Sequence, residues 1–313
     1  MKAAQISEYG HVEVVKIVDV EKPQAEAGQL VVEVHASSIN PFDTKIREGY
    51  MKDMIPLTLP VTLGGDIAGV VSELGEGVDH FAVGDKVYGA ANVVAGNSGA
   101  FAEFAATKAS QVGKMPTSIG FNEAAAITLT GLSALQAIEE HIQLKPGQKI
   151  LIHGGSGGIG SISIQLAKNI GAYVATTASG DGVEFVKSLG ADEVIDYKTQ
   201  DFAELLSGYD AVFDTVGGET YEKSFKVLKK GGLIVSMAVF QPNAELMEEY
   251  GVTALSQSTH TTTEVLEKLT KLIDEGVITI HVDKTFKLDE IQQAFEALES
   301  GQVKGKIAVS IAE

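Results

Sequence analysis

Gly155, Gly157 and Gly160 stand at the spacing Gly-x-Gly-x-x-Gly within the run His153-Gly154-Gly155-Ser156-Gly157-Gly158-Ile159-Gly160. The apolar stretch Lys149-Ile150-Leu151-Ile152 precedes this run, and a segment with helical spacing through Ile162, Leu166 and Ala167 follows it. Strand, tight turn and helix in that order make a seat for a phosphate. The first glycine permits the turn, the second lets the backbone approach an anion, and the third lets helix and strand pack closely. Amide N–H groups opening the helix then meet the anion. The spacing therefore predicts that Gly155, Ser156, Gly157, Gly158, Ile159 and Gly160 hold the pyrophosphate of a dinucleotide. A glycine-rich turn with no ligand is the competing reading.

Asn40 is the leading candidate for chemistry outside that turn. It ends a strand-like run and precedes Pro41, which fixes a turn. Its amide can donate to an oxygen that gains negative charge or orient another amide; the alternative is a turn residue that bonds its own backbone. Asp43 reads as the cap of a short helix at Thr44-Lys45-Ile46-Arg47 rather than as a base. Tyr50, after Gly49, offers a hydroxyl or an aromatic wall, or packs on the surface. Thr128 and Thr130 read as lying between two helices beside Gly131, facing a ribose or capping a helix. Asp214, Val216, Gly217, Ser236 and Met237 fall where two strands end, at a carboxyl edge where ligands gather. Asp214 could instead satisfy local donors, and Met237 could simply pack. Lys306 could reach a phosphate or a substrate, although an ordinary surface lysine is the plainer reading. His153 could line a groove or fill space. There is no His-Glu-x-x-His pattern and no nucleophile elbow with triad partners, so a hydrolase reading finds no support.

These residues need particular elements around them. The first third of the chain is rich in short β-like runs: residues 12–20, 30–38, 66–75 and 83–89, separated by glycine turns, suggest a small antiparallel barrel or sandwich. After Pro116 the pattern changes. Residues 122–127 and 132–141 are helical in period. Strands are then expected at 149–152, 172–177, 193–195, 211–215, 232–237 and 251–255, with helices between them, which predicts a parallel sheet wound on both faces. A helix at 263–275 follows, and the tail reads strand, helix, strand. The expected division is residues 1–120 with 276–313 as one discontinuous β-rich domain, and 121–275 as a nucleotide-binding α/β domain.

Composition narrows the function classes. The chain has 313 residues, 44% of them hydrophobic, no cysteine and a formal charge of -18. A field of that sign repels nucleic acid and anionic lipid, so neither is expected as a partner. Cationic side chains near the glycine turn are expected to offset it for an anionic ligand. No apolar run reaches a membrane-spanning length, and the N-terminal residues read as a strand rather than a signal peptide. The absence of cysteine removes disulfides, thiolate nucleophiles and cysteine-held zinc, and fits a cytoplasmic location.

Six ordered segments resemble the zinc-independent, zeta-crystallin-like quinone oxidoreductase branch of the medium-chain dehydrogenase/reductase superfamily. They are Ala36-Ser37-Ser38-Ile39-Asn40-Pro41-Phe42-Asp43, Gly64-Gly65-Asp66-Ile67-Ala68-Gly69-Val70-Val71, Val83-Gly84-Asp85-Lys86-Val87, the glycine turn, Leu189-Gly190-Ala191-Asp192-Glu193-Val194-Ile195-Asp196-Tyr197, and Asp214-Thr215-Val216-Gly217-Gly218. Leu298-Glu299-Ser300-Gly301 and Gly305-Lys306 extend the likeness into the tail. The resemblance implies a GroES-like β domain beside a Rossmann domain, with a cleft between them. It implies zinc-independent reduction of quinones or α,β-unsaturated carbonyls with NADPH, in a homodimer paired along the strand near 252–255. Zinc-dependent relatives look to have cysteine where Asn40 stands and histidine where Gly65 stands, and this chain lacks both. Tyr197 matches a family tyrosine lying along the adenosine phosphate. The second nucleotide-domain strand ends in Ala178-Ser179-Gly180 without a carboxylate, which favours NADP(H) over NAD(H), with Ser179 as donor to a 2′-phosphate. Asp181 and Gly182 stand where the family often has a basic residue. An NADPH-binding sensor or scaffold with little catalysis is the alternative function.

Overall fold

The computed structural model describes residues 1–312 and divides them into two compact units. The first comprises Met1–Leu129, Thr261–Glu275 and residues 280–312; the second comprises Thr130–His260 and Gly276–Thr279.

The first unit is built on a seven-stranded sheet whose long central strand is Gln29–Ile39. This strand pairs antiparallel with Asp66–Leu74 and with the tail strand Lys306–Ser310. Its β-branched residues are buried along most of their length because the two halves serve different cores. Leu30, Val32 and Val34 pack with Ile67, Val71 and Val87. Ile39 packs with Ile46, Phe101, Phe295, Ile307 and Val309. A smaller sheet joins Lys2–Ile6 to Lys16–Asp19 and Val61–Thr62. The expected strand at 12–20 opens instead as a single 3-10 turn, Val12–Val14.

Two expectations change. The helix Thr263–Asp274 belongs to the first unit rather than to the nucleotide-binding domain. Thr263 Oγ1 donates to Val112 O at 2.8 Å, Tyr88 Oη donates to Leu266 O at 2.7 Å, and Asp274 accepts from Thr117 N and Ser118 N at 3.0 Å each. Residues 121–135 form one continuous helix, Phe121–Leu135, which runs on into a wide turn at Gln136–His141. Gly131 does not break it. Thr128 and Thr130 therefore lie in mid-helix rather than at a helix start, and Thr128 Oγ1 donates back to Ala124 O at 3.1 Å.

The second unit is a six-stranded sheet in which every neighbouring pair is parallel. Its spatial order is Glu193–Asp196, Tyr173–Ala178, Lys149–Ile152, Tyr209–Asp214, Leu228–Ser236, Thr253–Ser256. In chain order that is 3-2-1-4-5-6, the Rossmann arrangement. Ile150, Leu151 and Ile152 are fully buried, as a central parallel strand requires. The order reverses between the first and fourth strands, so the ends of Lys149–Ile152 and Tyr209–Asp214 flank the crevice where such sheets bind ligands. The chain is thus an α/β protein with a β-rich unit and a Rossmann unit.

Candidate functional site

The glycine turn sits at that reversal. His153 N donates to Phe213 O at 2.9 Å, and Thr215 Oγ1 donates to His153 O at 2.8 Å, tying the turn to the fourth strand. Gly155 N donates to Thr177 O at 3.0 Å on the other side. The helix Gly158–Ile170 begins at once, and its own hydrogen bonding opens with Ser161 N donating to Gly157 O at 3.0 Å. The amides of Gly158, Ile159 and Gly160 precede that bond and point out of the helix start. A Cβ on Gly160 would lie 2.2 Å from Gly154 O and 2.7 Å from Gly155 Cα, so only glycine permits this approach of helix to turn. A Cβ on Gly155 would meet Thr176 Oγ1 at 2.0 Å, whereas one on Gly157 would come only within 3.3 Å of Gly154 O. The second glycine is thus the one whose open side faces away from the protein. This cradle fits a pyrophosphate.

His153 does not line a groove. It is fully buried, with its ring 4.6 Å from that of Phe202. Burial holds its pKa down at about 4, so the ring is neutral near pH 7. Its hydrogen bonds form one directed chain. Ser224 Oγ donates to Thr220 O at 2.6 Å, which leaves it to accept from His153 Nε2–H at 2.9 Å. His153 Nδ1 then accepts from Thr177 Oγ1 at 3.2 Å, and Thr177 Oγ1 accepts from Gly154 N at 3.1 Å. The imidazole is a strut that fixes the turn. Thr177 and Ser224 drew no attention in the sequence. Thr176, Thr177, Thr215 and the neutral His153, which contact the turn, are all uncharged.

The other candidates in this unit gather at the same carboxyl edge. Ser179 follows Tyr173–Ala178, and Ser179 O accepts from Gly182 N at 3.0 Å. Tyr197 follows Glu193–Asp196 and is 59% exposed; Val216 follows Tyr209–Asp214 and is 54% exposed. Asp214 is fully buried and serves the backbone: Oδ1 accepts from Val216 N and Gly217 N at 3.0 Å each, and Oδ2 accepts from Ser236 Oγ at 2.7 Å. Met237 N donates to Asp214 O at 2.9 Å, and the methionine side chain is half-buried.

The first unit holds a buried polar cluster around Asn40, which is 4% exposed. Asn40 stands at the N-cap of the helix Pro41–Arg47, in a capping box with Asp43. In that box Asp43 Oδ2 accepts from Asn40 N at 2.8 Å. The Asn40 amide also engages Asp66 and Lys306. Nδ2 donates to Asp66 Oδ2 at 2.7 Å, and Oδ1 accepts from Lys306 Nζ at 2.5 Å. Lys306, 6% exposed, is no surface lysine, and its Nζ also donates to Ile39 O at 2.8 Å. Asp66 further accepts from Ser38 Oγ at 2.6 Å and from Leu129 N at 3.2 Å. Burial raises the Asp66 carboxyl and lowers the Lys306 ammonium from their ordinary values, while the mutual attraction of the two opposes both shifts. Burial pushes Asp43 up to about 7, helped by the nearby Asp66 charge. Tyr50 lies elsewhere: it is 72% exposed and engages Glu48.

Asp66 is the hub of this cluster and is not among the residues singled out from the sequence. The available signal was a charge opening the apolar strand Asp66–Leu74. Among the described residues no three His, Cys, Asp or Glu side chains cluster to hold a metal, and no helix is long and apolar enough to cross a membrane.

Residues 26–117 match the alcohol dehydrogenase GroES-like domain, and residues 189–309 match the zinc-binding dehydrogenase family. The chain is similar to the 2-methylene-furan-3-one reductase of Solanum lycopersicum, 35% identical over 320 residues that cover 99% of this chain and 79% of that one. The solved quinone oxidoreductase from Coxiella burnetii superposes with a TM-score of 0.92 at 35% identity, covering 99% of each chain. The Escherichia coli quinone oxidoreductase complexed with NADPH gives 0.90 at 30% identity, covering 99% of this chain and 100% of the other.

Proposed function

This chain belongs to the zinc-independent quinone oxidoreductase branch of the medium-chain dehydrogenase/reductase superfamily, and on that footing we propose that it is an NADPH-dependent reductase of quinones or α,β-unsaturated carbonyls. The observation that carries this reading is the glycine cradle at the reversal of strand order. In this reading the backbone of Gly155, Ser156, Gly157, Gly158, Ile159 and Gly160 holds the pyrophosphate. Ser179 and Tyr197 serve the adenosine end, and Val216 and Met237 border the groove further along the same edge. Ser179, with no carboxylate at that strand end, supports NADPH over NADH. When bound, the reduced nicotinamide supplies a hydride to the acceptor.

The protein's own share is positioning and charge stabilisation. The Asn40 amide hydrogen not given to Asp66 is the donor for an acceptor oxygen that gains charge. No zinc enters this scheme. The position that would carry a histidine ligand is Gly65, and the Lys306 ammonium lies 4.0 Å from Asp66 Oδ2, where it opposes a second cation. Homodimer formation along the edge strand Thr253–Ser256 and a cytoplasmic location belong to the same proposal. Sedimentation velocity tests the first, with a monomer at micromolar concentration as the contrary result.

The test of the reading is steady-state NADPH oxidation across a panel of quinones, enals and enones, run beside calorimetry with NADPH and NADH. Turnover with at least one acceptor and tighter binding of NADPH are expected. Binding without oxidation by any acceptor favours a dinucleotide sensor, and no uptake of either dinucleotide ends the reading.

A further inference from the structure

Asn40 sits at the N-cap of the helix Pro41–Arg47, in a capping box with Asp43, and its amide also makes two close bonds outside that turn. Two ionisable side chains claim it from opposite ends. Lys306 Nζ, which has only protons to give, faces Oδ1, and Asp66 Oδ2 faces Nδ2. Exchanging the amide's oxygen and nitrogen would set donor against donor and acceptor against acceptor, so the pair permits a single orientation. Both clamps are themselves held. Lys306 is anchored by Ile39 O, one residue before Asn40, and Asp66 by Ser38 Oγ and Leu129 N. Backbone pairing sets the spacing, since Ile307 is opposite Ile39 and Ser38 is opposite Asp66 in adjacent strands. Burying a lysine and a carboxylate is unfavourable unless they are paired and bonded, and the Asn40 amide is the one side chain that bonds directly to both among the described residues.

We infer that Lys306 and Asp66 are positioning residues that lock the Asn40 amide in one orientation, leaving a single amide hydrogen aimed for the acceptor oxygen. Lys306 thereby acts on turnover through Asn40 rather than by touching dinucleotide phosphate. This inference rests on the reductase reading given above, and the two fail differently.

The decisive experiment is a double-mutant cycle on turnover with the best acceptor of the panel, using Lys306→Met and Asn40→Ala singly and together. Lys306→Met is expected to lower kcat by about 10- to 100-fold in the parent and by less than about twofold in the Asn40→Ala background. NADPH affinity, measured by calorimetry, is expected to stay within about twofold throughout. Equal losses in both backgrounds, or a loss of NADPH affinity in Lys306→Met, overturn the inference. Amide exchange of the isotope-labelled wild type supplies a second arm that needs neither turnover nor a stable variant. The Asn40 side-chain NH2 should give two resolved signals with hydrogen exchange slowed by more than about 100-fold relative to an exposed asparagine. Exchange at the exposed rate overturns the clamp even if the enzyme is active. Slow exchange in a protein that oxidises no NADPH leaves the clamp standing while the reductase reading falls.

Discussion

At the scale of single residues, the site depends on groups kept in unusual states by burial. Asn40→Ala removes an amide donor and leaves the residues of the glycine cradle unchanged. It is expected to lower kcat by about 100-fold while leaving NADPH affinity within about twofold; unchanged turnover would remove Asn40 from the chemistry. Asp43 gives a second prediction, about stability. Its carboxyl ionises near 3.8 in the unfolded chain and near 7 in the folded one. Between those values the folded state holds the extra proton, so the Asp43 contribution falls as pH rises through this window and then levels off. Asp43→Asn keeps an oxygen for the Asn40 N–H and has no proton to lose. Chemical denaturation from pH 4 to pH 8 should therefore show the variant gaining on the wild type by a few kcal/mol at most, all of it accumulated below about pH 7. Parallel profiles for the two proteins would mean that Asp43 does not titrate in this range.

At the scale of elements, the turn into the helix Gly158–Ile170 separates what holds the fold from what binds. Gly160→Ala places a methyl against backbone at 2.2 Å and 2.7 Å. Helix and turn must part, at a cost of about 1–3 kcal/mol that should appear as a lower Tm. Gly157→Ala meets only Gly154 O, at 3.3 Å. Its Tm should fall far less, while its NADPH affinity should drop by about tenfold or more, because the methyl stands on the side that an anion approaches. Similar losses of stability in the two variants would erase the distinction. The cradle and the strands beside it were legible in the sequence because an apolar run, a glycine turn and a helical period are local signals. The helix Phe121–Leu135 was not. Gly131 and two threonines read as a break, but Ala124, Ala125, Ala126, Ile127, Leu132 and Ala134 are all buried there, and that packing overrides the weak propensity of Gly131. The Asn40 cluster was half legible. Asn40 was found by its place before Pro41, but Ser38, Asp66 and Lys306 come from three strands whose registers bring them together. No local pattern encodes such a meeting, and Lys306 read as surface because its neighbours in sequence do not reveal which strand will cover it.

At the scale of the whole molecule, a formal charge of -18 has to coexist with an anionic cofactor. The side chains bonded to the turn do not offset it, since they are threonines and a histidine that burial keeps neutral. Attraction in the cradle therefore comes from amide dipoles, which act over a few ångströms, whereas the repulsion of the acidic surface extends over a Debye length. Screening acts first on the long-range term. Raising the salt from about 0.01 M to 0.15 M shortens that length from about 30 Å to about 8 Å, which removes most of the repulsion felt on approach and little of the contact attraction. The association rate of NADPH, followed by stopped-flow quenching of its fluorescence, should accordingly rise by a few-fold across this range, the reverse of an electrostatically steered encounter. The dissociation rate should change much less, because the cradle amides are already in contact with the ligand. An association rate that falls with salt would show that a local cationic field outweighs the overall charge, and would shift attention from the backbone amides to lysine or arginine side chains near the adenosine phosphate.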